Sequence, residues 1–152
     1  MKICLASSTG GHLGELKKII PAVAEHNYFI ITEQSEMSRT LKNQERVYFL
    51  AQQERKNLFL ILHLLLNLLM SLYILVKERP KVIITTGAGA VLGLCLLGKM
   101  FGSKIVYIES FAKVYTSSVT GRFIYKIADQ FYIQWEQLRD VYPEGTYRGS
   151  LY

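Results

Sequence analysis

Three places in this chain combine residue types that bind anions or move protons. The first is Ser7-Ser8-Thr9-Gly10-Gly11-His12-Leu13-Gly14-Glu15, which follows a short β-rich run and opens a helical pattern. Glycines at such a junction let the backbone turn tightly and bring its amides close to an anion at the helix N-terminus. Ser8, Thr9, Gly10 and Gly11 are therefore candidate phosphate-binding positions. The second place is Thr85-Thr86-Gly87-Ala88-Gly89-Ala90, where Gly87 and Gly89 repeat the arrangement before another helical pattern. One glycine turn is common to any tight strand-to-helix connection; two at the ends of parallel strands define a crevice for a phosphorylated ligand. His12 lies inside the first loop, where a neutral imidazole can accept a proton from a hydroxyl. It can equally serve by bonding the loop backbone or contacting phosphate. The third place is Glu109, directly after Ile105-Val106-Tyr107-Ile108. It can act as a base, orient His12 or a bound substrate, cap a following helix or pair with Lys113. His26 and His63 read as ordinary surface and helix residues. Cys4 and Cys95 stand alone, no spacing of metal ligands recurs, and no cofactor is expected.

These residues need a scaffold, and the hydrophobic pattern supplies one. Residues 3–6, 28–32, 47–50, 82–86, 104–108 and 130–133 read as strands, several of them almost continuously apolar, as in a parallel sheet covered on both faces. Helical patterns alternate with them. Leu13, Leu16, Ile20 and Val23 recur at helical spacing with Pro21 among them, and further helices are expected at 35–43, 91–101, 121–128 and 135–141. Such alternation implies right-handed βαβ units in a single α/β domain over 1–152, a Rossmann-like doubly wound parallel sheet. The same pattern admits a stand-alone NAD-type domain. Its fingerprint wants G-x-G-x-x-G and an acid after the second strand; here Thr9, Gly11 and Gly14 take the glycine positions and Glu33 follows the strand.

Half the residues are hydrophobic, and Lys and Arg outnumber Asp and Glu by 18 to 12 for a net charge of +6. That excess suits an anionic partner, a phosphorylated substrate or an acidic lipid surface. Nothing resembles an arginine-rich arm or a zinc finger, so no nucleic-acid partner is expected. The two cysteines sit in apolar runs, as reduced core cysteines do, and favour a cytoplasmic location. The opening run Ile3-Cys4-Leu5-Ala6 is too short for a signal peptide.

Residues 55–79 hold the least ordinary segment. From 58 to 76 every residue except His63, Asn67 and Ser71 is apolar, and those three form one polar stripe at i, i+4, i+8. Length and hydropathy would let it span a bilayer. Yet the strands before and after it belong to one sheet, so both ends must stay on one side, and a crossover helix buries only one face. Roughly eight large apolar side chains left in water would forgo about 12–24 kcal/mol at most, against about 5–15 kcal/mol for the stability of a whole domain. A cover is required: bilayer, partner or the chain itself. The expectation is insertion into the cytoplasmic leaflet through Leu58, Phe59, Leu62, Leu65, Leu66, Leu69 and Tyr73, with Arg55, Lys56, Lys77, Arg79 and Lys81 at the headgroups.

Ser8-Thr9-Gly10-Gly11-His12-Leu13-Gly14-Glu15, Thr85-Thr86-Gly87-Ala88-Gly89, Val106-Tyr107-Ile108-Glu109-Ser110-Phe111-Ala112-Lys113-Val114, Ala128-Asp129-Gln130-Phe131 and Gln134-Trp135-Glu136 occur in an order that resembles a known family. It is the membrane-bound subunit of the dolichol-linked N-acetylglucosaminyltransferase, with the related bacterial PssD-type proteins and β-1,4-galactosyltransferase enhancers of capsule and exopolysaccharide synthesis. The Tyr-Ile-Glu-Ser-Phe-Ala block is the most specific part. Lys113 stands where arginine is expected, which keeps the charge but gives up a bidentate phosphate contact. More distantly the chain resembles the N-terminal half of MurG-type GT-B enzymes. The resemblance implies a peripheral subunit on the cytoplasmic face of the membrane. It would bind a polyprenyl-diphosphate sugar acceptor through Ser8, Thr9, Gly10, Gly11, Gly87, Gly89 and Lys113. His12 and Glu109 would be its catalytic candidates, and a separate glycosyltransferase subunit would bind the donor. Tyr132, Trp135 and Tyr142 are either the surface that meets that partner or core.

Overall fold

A computed structural model describes residues 1–43, 45–52 and 59–152. Seven parallel strands form one sheet: β1 (Lys2–Ser7), β2 (Asn27–Glu33), β3 (Val47–Leu50), β4 (Val82–Thr85), β5 (Lys104–Ile108), β6 (Gln130–Ile133) and β7 (Thr146–Tyr147). Their order is β3-β2-β1-β4-β5-β6-β7. The order reverses between β1 and β4, where Ala6 pairs with Thr85. The loops after these two strands therefore diverge from a switch point, the place where open α/β sheets bind ligands.

The expected strands are all present, and the fold is the expected Rossmann-like α/β sheet. β7 was not foreseen: two residues carry no readable period. The core lies on both faces. One cluster joins Cys4, Phe29, Ile83, Ile105 and Phe131 to Ile74, Leu94 and Leu138. The other joins Leu5, Ile30 and Ile3 to Leu13, Leu16 and Val23. Both cysteines are free and fully buried, and burial pushes their thiols up, that of Cys95 to about 12.

The helices are α1 (Gly11–Val23), α2 (Glu36–Arg39), α3 (Leu60–Glu78), α4 (Leu92–Met100) and α5 (Val119–Ile124). α1 runs on through Pro21 and buries Leu13, Leu16, Ile19 and Val23, with Ile20 only partly covered. α5 starts and ends earlier than the apolar spacing suggests, because Ser118 caps it by accepting the Gly121 amide. The segment expected as a helix at 135–141 is a 3-10 turn, Glu136–Asp140.

Candidate functional site

The two glycine loops are stitched to each other at the carboxyl edge of the sheet. The Ser8 amide donates to the Gly87 carbonyl at 3.0 Å. The Thr86 hydroxyl donates to the His12 carbonyl at 2.7 Å, and the His12 ring meets the Thr86 carbonyl through Nδ1 at 2.7 Å. A carbonyl only accepts, so Nδ1 carries the proton of a neutral ring and Nε2 is left as a lone pair. The backbone of one loop thus selects the tautomer that a general base requires.

Gly87 makes this possible. Its φ of +93° is a left-handed conformation, and a Cβ there would lie 3.0 Å from the Tyr107 hydroxyl and 3.6 Å from His12 Cε1. Gly87, expected to offer its amide to phosphate, is buried, and its N–H donates to the Thr85 hydroxyl at 3.1 Å. The Ser8 amide is likewise committed. What remains open to a ligand is Thr9, Gly10, Gly11 and Gly89. Gly10 needs to be glycine, with φ of +68°, whereas a Cβ on Gly11 would meet nothing within 4 Å. No protein contact accounts for a glycine at that helical position. α1 has no side-chain cap, so its first amides face the cleft unsatisfied by the protein's own side chains.

Glu109 lies elsewhere. Its carboxylate is fully buried, and five donors fill it: Ser110 N–H at 2.9 Å and Tyr107 Oη at 3.3 Å on Oε1, with Tyr142 Oη at 2.7 Å, Ser118 Oγ at 3.0 Å and Ser118 N–H at 3.2 Å on Oε2. All five of these contacts come from the protein itself, which fits the capping role better than that of a base. Glu109 ties the end of β5 to the N-cap of α5. Pairing with Lys113 is not observed; among the described residues Lys113 forms no ion pair. Gly121 belongs to the same cluster: a Cβ there would collide with Glu109 Oε2, the Tyr142 hydroxyl and Ser118 Oγ. Tyr142 is therefore core, while Tyr132 and Trp135 are half-buried, Trp135 donating to the Phe111 carbonyl at 2.7 Å.

The acid beside His12 is Glu15, one turn along α1. Glu15 is buried and accepts from the Phe111 amide at 3.1 Å, Gln134 Nε2 at 3.1 Å and the Ser110 hydroxyl at 3.3 Å. Burial raises its carboxyl, against the pull of the Phe111 amide and of His12. It lines a cleft of roughly 380 Å³ together with Gly11, His12, Ser110, Phe111 and Tyr152. The sequence held a signal for it. Glu15, Ile19 and Val23 share one buried stripe, and an acid on an apolar stripe demands partners.

A second surface lies on the other face of the sheet, where α3 packs. α3 is inside out: its buried positions are Asn67, Ser71, Ile74, Leu75 and Glu78, while the leucines from Leu62 to Leu72 face outward. Asn67 clamps Ala51, accepting its amide at 2.7 Å and donating to its carbonyl at 2.9 Å. Glu78 receives Lys2 at 3.1 Å, Arg46 and the Tyr48 hydroxyl. Phe59, Leu62, Leu65, Leu66, Leu69 and Tyr73, expected to face lipid, are all exposed, from 43% for Leu66 to 58% for Phe59. Leu58, Arg55 and Lys56 lie outside the described residues. The helix has the length and hydropathy of a membrane span, yet β3 before it and β4 after it share one sheet.

This parallel α/β sheet, with its switch point and carboxyl-edge cleft, resembles one half of the GT-B glycosyltransferase fold. The chain superposes on Acinetobacter baumannii MurG with a TM-score of 0.72 at 13% identity, covering 90% of this chain and 43% of that enzyme. For the UDP-N-acetylglucosamine 2-epimerase of Rickettsia bellii the values are 0.76, 15%, 99% and 45%. The chain thus spans under half the length of these enzymes. A family model described as "Oligosaccharide biosynthesis protein Alg14 like" matches residues 1–151. The chain belongs to this family, whose members are membrane-associated, non-autonomous glycosyltransferase subunits. It is 24% identical over 182 residues to the UDP-N-acetylglucosamine transferase subunit ALG14 of Homo sapiens, covering 99% of this chain and 83% of the human protein. It is 39% identical over 77 residues to the subunit of the same name from Schizosaccharomyces pombe, covering 47% and 37%.

Proposed function

We propose that this subunit seats on the cytoplasmic leaflet through α3, holds a polyprenyl-diphosphate-linked sugar at the glycine loops, and presents its hydroxyl to a sugar nucleotide carried by a separate donor-binding subunit. By likeness to the named relatives the donor is UDP-N-acetylglucosamine. The observation that carries this reading is the His12 ring, pinned at Nδ1 by the Thr86 carbonyl between two glycine loops. Thr9, Gly10, Gly11 and Gly89 offer open backbone around a diphosphate, and Lys113 follows Ala112, which lines the same cleft as Gly11. The acceptor hydroxyl oxygen attacks the anomeric carbon, the bond from that carbon to the nucleotide phosphate breaks, and the hydroxyl proton passes to His12 Nε2. The finer reading, that the product belongs to a capsule or exopolysaccharide of the PssD type, rests on the block around Tyr107 to Val114.

The NAD-type alternative loses its acid: Glu33 is buried at the end of β2 rather than presented to a ribose. Co-expression with the donor-binding subunit, followed by transfer of labelled sugar onto a polyprenyl-diphosphate acceptor in membranes, tests the proposal. His12→Ala should lower turnover by roughly 10²–10⁴-fold, the range for loss of a general base, with the complex still assembled. Unchanged turnover would remove His12 from the chemistry, and tight NAD binding by the isolated chain would reject the whole reading.

A further inference from the structure

Between α3 and α4 runs an apolar groove of roughly 400 Å³, walled by Leu64, Leu65 and Leu68 on one side and Leu92 and Leu96 on the other. Gly89, a residue of the second glycine loop, also lines it. Gly93 sets its floor, because a Cβ there would stand 3.1 Å from Leu68 Cδ1 and push the helices apart. We propose that this groove binds the first isoprene units of the acceptor's polyprenyl chain, so that α3 and α4 recognise the lipid tail as well as resting on a membrane. The inference rests on the acceptor reading above and extends it to a tail-binding site.

Three observations choose the occupant. Gly89 belongs both to the groove's lining and to the loop assigned to the diphosphate, so a chain leaving that headgroup meets the groove. Among the described residues Asn67 is the one polar side chain on its wall, and both ends of that amide are engaged by Ala51. A peptide laid there would leave its own backbone N–H and C=O groups without partners, whereas hydrocarbon has none to satisfy. Finally, the outer wall is continuous with the exposed leucines of α3, so a tail can pass from groove to bilayer without crossing water.

The test uses the full chain in dilute non-ionic detergent, titrated with geranylgeranyl diphosphate and separately with inorganic pyrophosphate. Flotation with vesicles of phosphatidylcholine and phosphatidylglycerol provides the membrane readout. The wild type should bind the prenyl diphosphate at least about ten-fold more tightly than pyrophosphate. Leu64→Ser with Leu96→Ser should erase that preference while leaving pyrophosphate binding and flotation unchanged. Leu62→Ser with Leu69→Ser, equally greasy positions outside the groove, should lower flotation while leaving the preference and pyrophosphate binding unchanged. Leu96→Trp fills the groove without making it polar and should also abolish the preference, which separates blockage from lost hydrophobicity. Equal binding of both ligands by the wild type, or equal losses in the two double variants, overturns the tail site. Tight prenyl diphosphate binding that needs the groove but no affinity for pyrophosphate would keep the tail site and strike the glycine-loop reading instead.

Discussion

At the residue scale, two acids and one glycine separate architecture from chemistry. Glu109 looked reactive because it closes a strand in the most specific block of the sequence, but that block is specific for what it holds together. The carboxylate accepts five bonds in a dry site, so Glu109→Gln places an amide donor among donors and leaves it unpaired. A loss of about 2–4 kcal/mol is expected, read as a fall in the denaturant midpoint of the isolated chain. A base would instead show normal stability and lost turnover. Gly11 behaves in the opposite way. With open space at its Cβ and no positive φ, Gly11→Ala should stabilise α1 by a few tenths to about 1 kcal/mol. It should also weaken pyrophosphate binding, a trade visible by running thermal melts and titrations on one preparation. Glu15 escaped notice because the motif reads as a list of loop residues; its meaning lies in α1, where it occupies a core position.

At the scale of elements, the sheet was legible because strands buried on both faces are written as unbroken apolar runs, Leu5 and Ile83 being typical. Boundaries were less so. β7 is two residues long, and α5 is placed by the Ser118 cap rather than by any apolar period. α3 was legible as a problem before it was legible as a structure: its polar stripe and greasy flanks were plain, and only the fold shows that the stripe faces inward. About twelve large apolar side chains from Phe59 to Val76 are exposed. Each is worth about 1.5–3 kcal/mol on full burial, so the face favours lipid strongly even if half that gain is realised. Leu62→Glu with Leu69→Glu should therefore release the chain from anionic vesicles, as flotation would show, while leaving the unfolding midpoint of the detergent-bound protein within about 0.5 kcal/mol of wild type. Asn67→Leu should do the converse, since it removes the clamp on Ala51 and leaves two backbone groups bare.

At the scale of the whole molecule, two ion clusters close the fold at points far apart in sequence. Lys99, the Ile105 amide and Lys104 hold Asp129 at about 2, against the effect of burial. Burial alone would raise Glu78, but Tyr48, Lys2 and Arg46 together keep it below the usual glutamate range. Both carboxyls have folded values beneath their unfolded ones, so their contribution is complete above about pH 4.5 and is lost as pH falls through the folded values. Acid unfolding should steepen between about pH 4 and 2, and Asp129→Asn should flatten that part of the profile at a cost of about 1–2 kcal/mol at neutral pH. Circular dichroism against pH in fixed salt reads both. The crossover that returns α3 to the sheet also sets how the molecule lies. In a βαβ unit the helix runs antiparallel to the strands it links, so with α3 seated in the leaflet as proposed the strand axes lie along the bilayer plane. The cleft at their ends then opens sideways over the headgroups. Encounter with a lipid-borne sugar becomes a two-dimensional search, and its frequency is governed by surface density rather than by bulk concentration.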